Sequence, residues 1–335
     1  MDRSPTVSVL IPTYNRASVL LSTLESVLQQ TLPVHEVVLV DDGSTDQTQG
    51  RVREFLEQQP NFRDRVRYLY QENAGKSAAL NRGIALASGE WIAFLDSDDL
   101  WMEGKLEEQF RALNAYAECG VCFTDARFVN DRQLSTSAFE YANKRYASAH
   151  GIVHRPTEFI LGIPHGVYMQ TLVARTELVR DVGGFDTELS LGEDTDFLFR
   201  LSRRTAFCFV NRPLVHIDRT PGRSRLTDLA RLEEQRLRQR MYLFEKWLDT
   251  TGDLNWKERR MIHGLLREVH SEWASWYLRS GNYTGARQEC AAALRAELRP
   301  AALLKWVLAT IAPKLLRSIV TRRHEARMKQ SLSWR

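Results

Sequence analysis

Strands and helices alternate through the first hundred residues, and this alternation constrains the fold more than any other feature of the chain. Short apolar runs that predict strands occupy residues 7–11, 37–40, 66–70 and 91–95. Between them, segments such as 17–30 and 76–87 carry apolar residues at helical spacing. This order predicts an α/β fold with a mostly parallel sheet and helices on both faces.

Polar side chains follow three of these strands at the point where each strand ends. They are Thr13, Tyr14 and Asn15, then Asp41 and Asp42, then Asp96, Ser97, Asp98 and Asp99. Ligands of open α/β sheets bind beyond the carboxyl ends of the strands, so we expect these side chains to meet at one edge. Their carboxylates suit Mg²⁺ or Mn²⁺, which also hold phosphates. Taken alone, the acidic cluster fits equally well a solvated turn with Asp99 near the N-cap of the next helix.

Composition excludes several classes of protein. The chain has 335 residues and a net charge of +4, too modest to indicate nucleic acid as a partner. Four cysteines are too few for a disulfide framework, and we expect Cys119 and Cys122 to pack in the core. The first residues carry no basic segment followed by an apolar one, so we expect no signal peptide and a cytoplasmic protein.

Residues Gly75, Lys76 and Ser77 look like the end of a phosphate-binding P-loop. The first glycine of that motif would have to stand at position 70, which is Tyr70. The sequence therefore does not predict a P-loop nucleotidase.

Six motifs, in order along the chain, resemble those of family 2 glycosyltransferases with the GT-A fold. They lie at 7–16 (VSVLIPTYNR), 38–46 (VLVDDGSTD), 73–84 (NAG at 73–75 with NRGI at 81–84), 87–99 (ASGEWIAFLDSDD), 183–188 (GGFDTE) and 192–201 (GEDTDFLFRL). The resemblance spans about residues 5–225. It implies an inverting transferase that uses a nucleotide-diphospho-sugar, a UDP-sugar before others, and Mn²⁺ or Mg²⁺.

The resemblance also implies roles for the residues of the nucleotide site. Tyr14, beside Thr13, would lie against the base, since an aromatic face can stack on any base. Asp42 would accept a hydrogen bond from the base, and Asp41 is a second candidate for base or ribose. The alternative for both acids is an N-cap on the following helix.

Asp96, Ser97 and Asp98 stand where the family has its D-x-D motif. The resemblance implies that Asp96 helps to hold the ribose or the metal. It also implies that Asp98 binds the divalent cation that bridges the diphosphate. Arg82 would add positive charge near the phosphates or, as an equal alternative, would be an exposed helix residue.

Glu193 and Asp194 match the acceptor-side acidic pair of the family. Asp194 is the candidate general base, which would take the proton from the acceptor hydroxyl. The alternative is that Asp194 caps a helix over 195–201, and Asp196 is a lower-ranked candidate. Residues 162–172 are expected to lead into a strand that lines the acceptor pocket.

The loop at 213–224 departs from the family pattern. Many relatives carry a histidine just before its Pro-Gly pair, where this chain has Thr220. His216 is a possible substitute as a metal ligand, although a histidine at a strand end is more often structural. Arg219, Arg223 and Arg225 are candidate phosphate contacts on this loop.

The character of the chain changes to helical after the loop. We expect a catalytic domain at 1–225 and a helical region at 226–335, which includes a helical hairpin at 277–294. Residues 300–320 join an apolar, Trp-bearing segment to a basic tail, a pattern typical of a helix on an anionic membrane surface. Packing on the catalytic domain or on a partner subunit is the alternative.

These observations predict a metal-assisted glycosyltransferase that acts on a cell-surface glycan or a lipid-linked saccharide. It would be cytoplasmic or peripheral on the inner face of the membrane. One alternative is a sugar-phosphate nucleotidyltransferase, but residues 12–16 lack the glycine-rich loop that such enzymes carry after the first strand. The other is a non-catalytic relative that binds nucleotide or glycan.

Overall fold

The computed structural model describes residues 4–130, 133–220 and 233–333. The chain forms two compact units, residues 1–223 and residues 224–335. The predicted boundary between residues 225 and 226 lies outside the described residues.

The first unit is built on a single sheet, for which the described residues supply ten strands. The strands are β1 (Val7–Thr13), β2 (Glu36–Asp42), β3 (Val66–Gln71), β4 (Trp91–Phe94), β5 (Leu100–Trp101), β6 (Cys119–Asn130), β7 (Gln133–Ser137), β8 (His150–Val153), β9 (Leu172–Arg175) and β10 (Ala206–Asp218). Their order is β3-β2-β1-β4-β9-β6-β10-β5, with β7 paired to β6 and β8 paired to β10.

Helices of the first unit connect these strands. They are α1 (Leu20–Leu28), α2 (Thr48–Gln58), α3 (Pro60–Arg63), α4 (Lys76–Leu86), α5 (Lys105–Ala115), α6 (Ala138–Tyr141), α7 (Pro156–Leu161), α8 (Thr176–Asp181) and α9 (Glu193–Ser202). A 3-10 turn at Met169–Thr171 precedes β9.

The four predicted strands form the parallel half of the sheet. β3, β2, β1 and β4 lie side by side in parallel, as their alternation with helices requires. β9 then joins antiparallel to both β4 and β6, so the complete sheet is mixed. The predicted α/β class is confirmed, and the antiparallel strands are an addition to the predicted parallel sheet.

The core of the first unit lies between the sheet and its helices. Leu10 and Ile11 of β1 and Val38 and Leu39 of β2, consecutive residues that point to opposite faces of the sheet, are all buried. This continuous burial is characteristic of parallel strands that are covered on both faces. Cys119 and Cys122 are buried and carry free thiols, in agreement with the predicted core packing.

Asn81 of α4 clamps the chain before α9. Its side-chain amide donates to the carbonyl of Phe185 at 2.8 Å and accepts from the Phe185 N–H at 2.7 Å. Gly184 is required beside this clamp, because it has φ +70° and a Cβ there would lie 2.4 Å from Asn81 Oδ1. A side chain of the motif at 81–84 therefore fixes the backbone of the motif at 183–188.

The second unit is helical over its described residues. Its helices are α10 (Glu233–Thr250), α11 (Trp256–Ser280), α12 (Tyr283–Ala296), α13 (Pro300–Ile311) and α14 (Pro313–Ser333). Gly281, in the left-handed region at φ +82°, ends α11, and Asn282 caps α12 by accepting from the Gly285 N–H. This turn forms the helical hairpin expected at 277–294. Its buried centre includes Leu278, Ala286 and Cys290.

Candidate functional site

The carboxyl ends of the first strands meet at one edge of the sheet, as the sequence predicts. Thr13 of β1 is in register with Asp41 of β2, and Asp41 is in register with Tyr70 of β3. β4 lies on the other side of β1 and ends in the acidic cluster. Thr13 Oγ1 is buried and has no hydrogen-bond partner among the described residues. A buried hydroxyl without a partner costs free energy unless a ligand or water satisfies it.

The loop after β1 is fastened to the loop after β2. Asn15, in the left-handed region at φ 53°, donates its N–H to Ser44 Oγ at 2.8 Å. Its side-chain oxygen accepts from the N–H of Thr45, also at 2.8 Å. Tyr14, in the same loop, is 46% exposed. An exposed ring on a fixed backbone suits the predicted stacking against a base.

Asp41 and Asp42 bind loop atoms, and neither caps the next helix. Asp41 accepts from the Ser44 N–H at 2.8 Å and from the Tyr68 hydroxyl. Asp42 accepts from the N–H groups of Ala74 and Gly75 at 2.9 and 2.8 Å, so it holds the loop that leads into α4. The N-cap of α2 is Gln47, and the capping alternative for the two acids is wrong.

The D-x-D carboxylates each face a cation supplied by the chain. Asp96 Oδ1 lies 2.8 Å from Lys76 Nζ, and Asp98 Oδ2 lies 3.5 Å from Arg16 Nε. Ser97 is buried, and its carbonyl accepts from Thr23 Oγ1 of α1 at 3.1 Å. These contacts join the motif to three neighbouring segments of the unit.

Asp99 is buried behind the motif. Its two oxygens accept from the Gln170 amide at 2.7 Å and from the Asp218 N–H at 2.8 Å. Burial, followed by the charges of Asp96 and Asp98, raises the pKa of Asp99 well above its ordinary value. The N-cap of α5 is Gly104, so the capping alternative for Asp99 is also wrong.

Lys76 is a site residue that sequence reasoning missed. Burial opposes its charged form, but Asp194, Asp96 and Glu193 outweigh this effect and raise the pKa of Lys76 well above its ordinary value. The available signal was the Gly-Lys-Ser sequence at 75–77. This sequence fails as a P-loop, yet it places a lysine at the first position of α4.

Glu193 and Asp194 lie in the first turn of α9, after Gly192 in the left-handed region at φ 85°. Gly192 is the N-cap, so Asp194 does not cap this helix. Asp194 Oδ1 is buried without a hydrogen-bond partner among the described residues. Burial raises the pKa of Asp194 although Lys76 lowers it, and burial with the charge of Asp194 raises the pKa of Glu193 to about 8.

Asp196, the lower-ranked candidate base, is committed elsewhere. It is fully buried and lies 2.7 Å from the Arg200 guanidinium, one turn later in α9. Arg200 also donates to the carbonyl of Val182. Asp196 therefore serves the packing of α9, whereas Asp194 keeps an oxygen available.

Arg82 and His216 lie beside site residues: Arg82 contacts Tyr70, which is in register with Asp41, and His216 is in register with Leu100, which follows Asp99. Arg82 donates to the Tyr70 carbonyl at 2.8 Å, so it supports the end of β3. His216 lies in β10 in register with Arg127 of β6, and burial and the Arg127 charge lower its pKa. The Arg219 guanidinium lies over the Phe128 ring. The other two candidate phosphate contacts, Arg223 and Arg225, lie outside the described residues.

The acidic cluster fits a cation that arrives together with phosphates. Within the described part of the chain, no three His, Cys, Asp or Glu side chains are grouped to hold a metal by themselves. Mg²⁺ is usually bound by one or two carboxylates plus substrate phosphates and water. Asp96 and Asp98 offer such carboxylates, with side chains 27% and 16% exposed.

The sequence is similar to known glycosyltransferases. Residues 8–167 match the family model described as glycosyl transferase family 2. An uncharacterised glycosyltransferase of Rickettsia typhi is 28% identical over 284 residues, which cover 83% of this chain and 81% of the relative. The putative teichuronic acid biosynthesis glycosyltransferase TuaG of Bacillus subtilis is 40% identical over 121 residues, 36% of this chain and 46% of that one.

Solved structures show the same fold. TarS of S. aureus (residues 1–349, in complex with UDP-GlcNAc) has a TM-score of 0.69 at 19% identity, and the match covers 96% of this chain and 92% of that one. The mannosyltransferase PcManGT of Pyrobaculum calidifontis, in complex with GDP-Man and Mn²⁺, has a TM-score of 0.55 at 23% identity, with 96% and 84% covered. At these identities the likeness concerns the fold.

Proposed function

We propose that this chain acts as a family 2 glycosyltransferase, the family whose model residues 8–167 match, and that it moves a sugar from a nucleotide-diphospho-sugar to an acceptor hydroxyl with inversion. A UDP-sugar is the first donor to consider, since TarS was solved with UDP-GlcNAc. PcManGT was solved with GDP-Man, which makes a GDP-sugar the second.

One observation carries this proposal: Lys76 connects the D-x-D motif to the acceptor-side acids. It contacts Asp96 directly, and the charges of Asp194 and Glu193 act on it. The sugar of a donor bound through its diphosphate near Asp96 would therefore lie close to the buried, unpartnered oxygen of Asp194. A general base must be within reach of the proton that it removes.

In this proposal Tyr14, Thr13 and Asp42 bind the nucleotide, and Asp96 and Asp98 hold Mn²⁺ or Mg²⁺. When bound, the cation neutralises charge on the departing diphosphate. Asp194 takes the proton of the acceptor hydroxyl while the oxygen of that hydroxyl bonds to the anomeric carbon. The bond from that carbon to the diphosphate breaks on the opposite side, which inverts the centre.

Lys76 has a separate part in this proposal. A buried carboxylate close to other acids tends to bind a proton, and a protonated Asp194 could not act as a base. The Lys76 ammonium favours the ionised form of Asp194. It also balances the charge of Asp96 before the donor arrives.

For the acceptor, we propose a cell-surface glycan or a lipid-linked saccharide. TuaG is named for putative teichuronic acid biosynthesis, which supports an acceptor of the cell envelope. A lipid-linked acceptor is held at a bilayer, so the reaction would take place at the cytoplasmic face of a membrane.

Release of free nucleotide from a panel of UDP-, GDP-, dTDP- and CMP-sugars tests the reaction. We expect slow hydrolysis of one donor with Mn²⁺ and its loss when a chelator is added, because the departing diphosphate needs the cation. Such a result would identify base and sugar together. The absence of both hydrolysis and nucleotide binding across the panel would contradict the proposal and would favour a non-catalytic relative.

Residues 300–335 are proposed to contact the anionic membrane surface. None of the described helices is long and apolar enough to span a bilayer. On α13, Ala302 and Ala309 are buried, while Leu304 and Ile311 are 60% and 74% exposed. On α14, Leu315 is also exposed. An exposed apolar face on a helix is suited to the interface of a bilayer.

Charge supports the choice of an anionic surface over a protein partner. Residues 300–335 contain eight Lys or Arg and one acid, Glu325. The basic residues are Lys305, Lys314, Arg317, Arg322, Arg323, Arg327, Lys329 and Arg335. Lys305 is used internally, since it donates to Ser275 Oγ at 2.8 Å. Each of the remaining basic residues can add about 1 kcal/mol near an anionic surface at low salt.

Sedimentation with lipid vesicles tests the contact. We expect binding to vesicles rich in anionic lipid, and weak binding to neutral vesicles of the same size. The double variant Leu304→Asp, Ile311→Asp should weaken binding by about tenfold or more, because both exposed apolar side chains are lost. Trp256→Ala, which removes an exposed side chain from α11, is the matched control. Equal binding by all three proteins would contradict the assignment.

A further inference from the structure

Gln170 lies between two carboxylates of the acidic cluster. Its side-chain nitrogen is 2.8 Å from Asp96 Oδ2 and 2.7 Å from Asp99 Oδ2. A side-chain amide has two N–H donors, so it can give one to each carboxylate. The residue itself is buried, and more than 70 positions separate it from both acids.

The backbone of Gln170 is held by other buried side chains. Its carbonyl accepts from the indole N–H of Trp101 at 3.0 Å. The next carbonyl, of Thr171, accepts from Gln109 at 2.9 Å, and Gln109 accepts from the buried ammonium of Lys105 at 2.7 Å. The Lys105 ammonium also lies over the Trp101 ring, 4.0 Å from its centre. Helix α5 therefore fixes the 3-10 turn that presents Gln170.

Asp99 extends the hydrogen-bond network of Gln170 to β10. Its second oxygen accepts from the Asp218 N–H, and Asp218 accepts from the N–H of Thr220 at 2.7 Å. Asp99 thus connects Gln170 to the end of β10. The Gln170 amide and the Asp218 N–H, which donate to Asp99, are neutral groups, whereas Asp96 and Asp98 face the cations Lys76 and Arg16.

We propose that Gln170 is a positioning residue of the diphosphate end of the donor site: its amide fixes the spacing of Asp96 and Asp99, and so holds the D-x-D loop in the form that binds cation and diphosphate. This inference rests on the proposed function. A neutral donor suits the position, because it satisfies both carboxyl groups and leaves the charge of Asp96 available. A carboxylate in its place would add a like charge beside Asp96 and close to Asp98.

A comparison with Gln30 distinguishes the proposed positioning role of Gln170 from a role in core packing alone. Gln30 is equally buried, but its amide serves main-chain atoms between α1 and α5. It donates to the carbonyl of Met102 at 2.9 Å and accepts from the N–H of Leu106. Substitution of Gln30 should therefore lower stability without changing the affinity of the folded protein for a nucleotide.

Calorimetric titration with nucleoside diphosphates over a series of Mn²⁺ concentrations tests the inference. For Gln170→Leu we expect the Mn²⁺ concentration that gives half-maximal binding to rise by about tenfold or more, since the loop loses two hydrogen bonds near charged groups. For Gln170→Glu we expect a larger rise. Gln30→Leu should keep the wild-type Mn²⁺ dependence while its thermal unfolding midpoint falls.

The outcomes separate the two proposals. If the wild-type protein binds no nucleoside diphosphate, the proposed function fails and this inference fails with it. If the wild type binds and both Gln170 variants show the same Mn²⁺ dependence, Gln170 is not a positioning residue. Gln170→Asn keeps the amide but shortens the side chain, and it replaces Gln170→Leu if that variant does not fold.

Discussion

Asp194→Asn is expected to abolish sugar transfer while donor binding remains intact. The amide keeps the shape of the side chain but cannot accept the proton of the acceptor hydroxyl. Loss of a general base usually lowers the rate by about 10²–10⁴-fold. Single-turnover transfer to an acceptor, together with calorimetric affinity for the donor, would measure the two effects separately.

Asp196→Asn is the matched control for this experiment. It makes the same change two residues further along α9, where the carboxylate pairs with Arg200. It should lower the unfolding midpoint, because a buried ion pair loses one partner, but leave turnover of the folded protein near the wild-type value. Normal turnover by Asp194→Asn would remove Asp194 as the base, and loss of turnover in Asp196→Asn alone would transfer that role.

The pH dependence of transfer has a definite sign. Burial raises the pKa of Asp194, and a base must be ionised to act. The rate should therefore rise with pH until Asp194 has lost its proton. Its midpoint should lie above the ordinary range of an aspartate. In Asp194→Asn, this limb of the profile should disappear.

Asp98→Ala is expected to abolish metal-dependent donor binding. The substitution removes a carboxylate that would hold the cation, and it leaves the Arg16 side chain without this partner. Calorimetry with the donor identified from the panel should show a loss of affinity of about 10²-fold, the equivalent of about 2.7 kcal/mol. Addition of a chelator should then have no further effect.

Asp181→Ala supplies the comparison for net charge. Asp181 is an exposed carboxylate at the end of α8, paired with Arg204. Its removal changes the net charge of the protein by the same amount, but exposed ion pairs contribute little to stability. Donor affinity should stay at the wild-type value. Full donor affinity and unchanged chelator sensitivity in Asp98→Ala would contradict the metal role.

The sequence predicts the framework of the site because parallel strands place their carboxyl ends together. Thr13, Asp41 and the acidic cluster could be brought to one edge by that rule alone. The same rule does not predict that Lys76 or Gln170 lies at this edge. Lys76 depends on how Asp42 and Gly75 turn the chain into α4. Gln170 depends on β9, whose short antiparallel pairing with β4 has no periodic signal of its own.

The capping alternatives failed for a related reason. Aspartate is a frequent N-cap, so Asp99 and Asp194 were reasonable candidates from sequence. In the structure, glycines in the left-handed region, Gly104 and Gly192, occupy those cap positions. This leaves the carboxylates to other partners, or to none. The frequency of aspartate at N-caps therefore predicted the wrong residue for the cap of both helices.

The clamp between Asn81 and Phe185 has a consequence for how such chains are classified. Asn81 and Gly184 are motif residues, yet their contacts are wholly internal, and a chain that had lost its reaction would still need them in order to fold. The match to the family model ends at residue 167, before Asp194. A homologue could therefore keep its family assignment after losing catalysis. If the proposed roles of Asp194 and Lys76 hold, an inventory of active members should look for an acid at position 194 and a lysine at position 76.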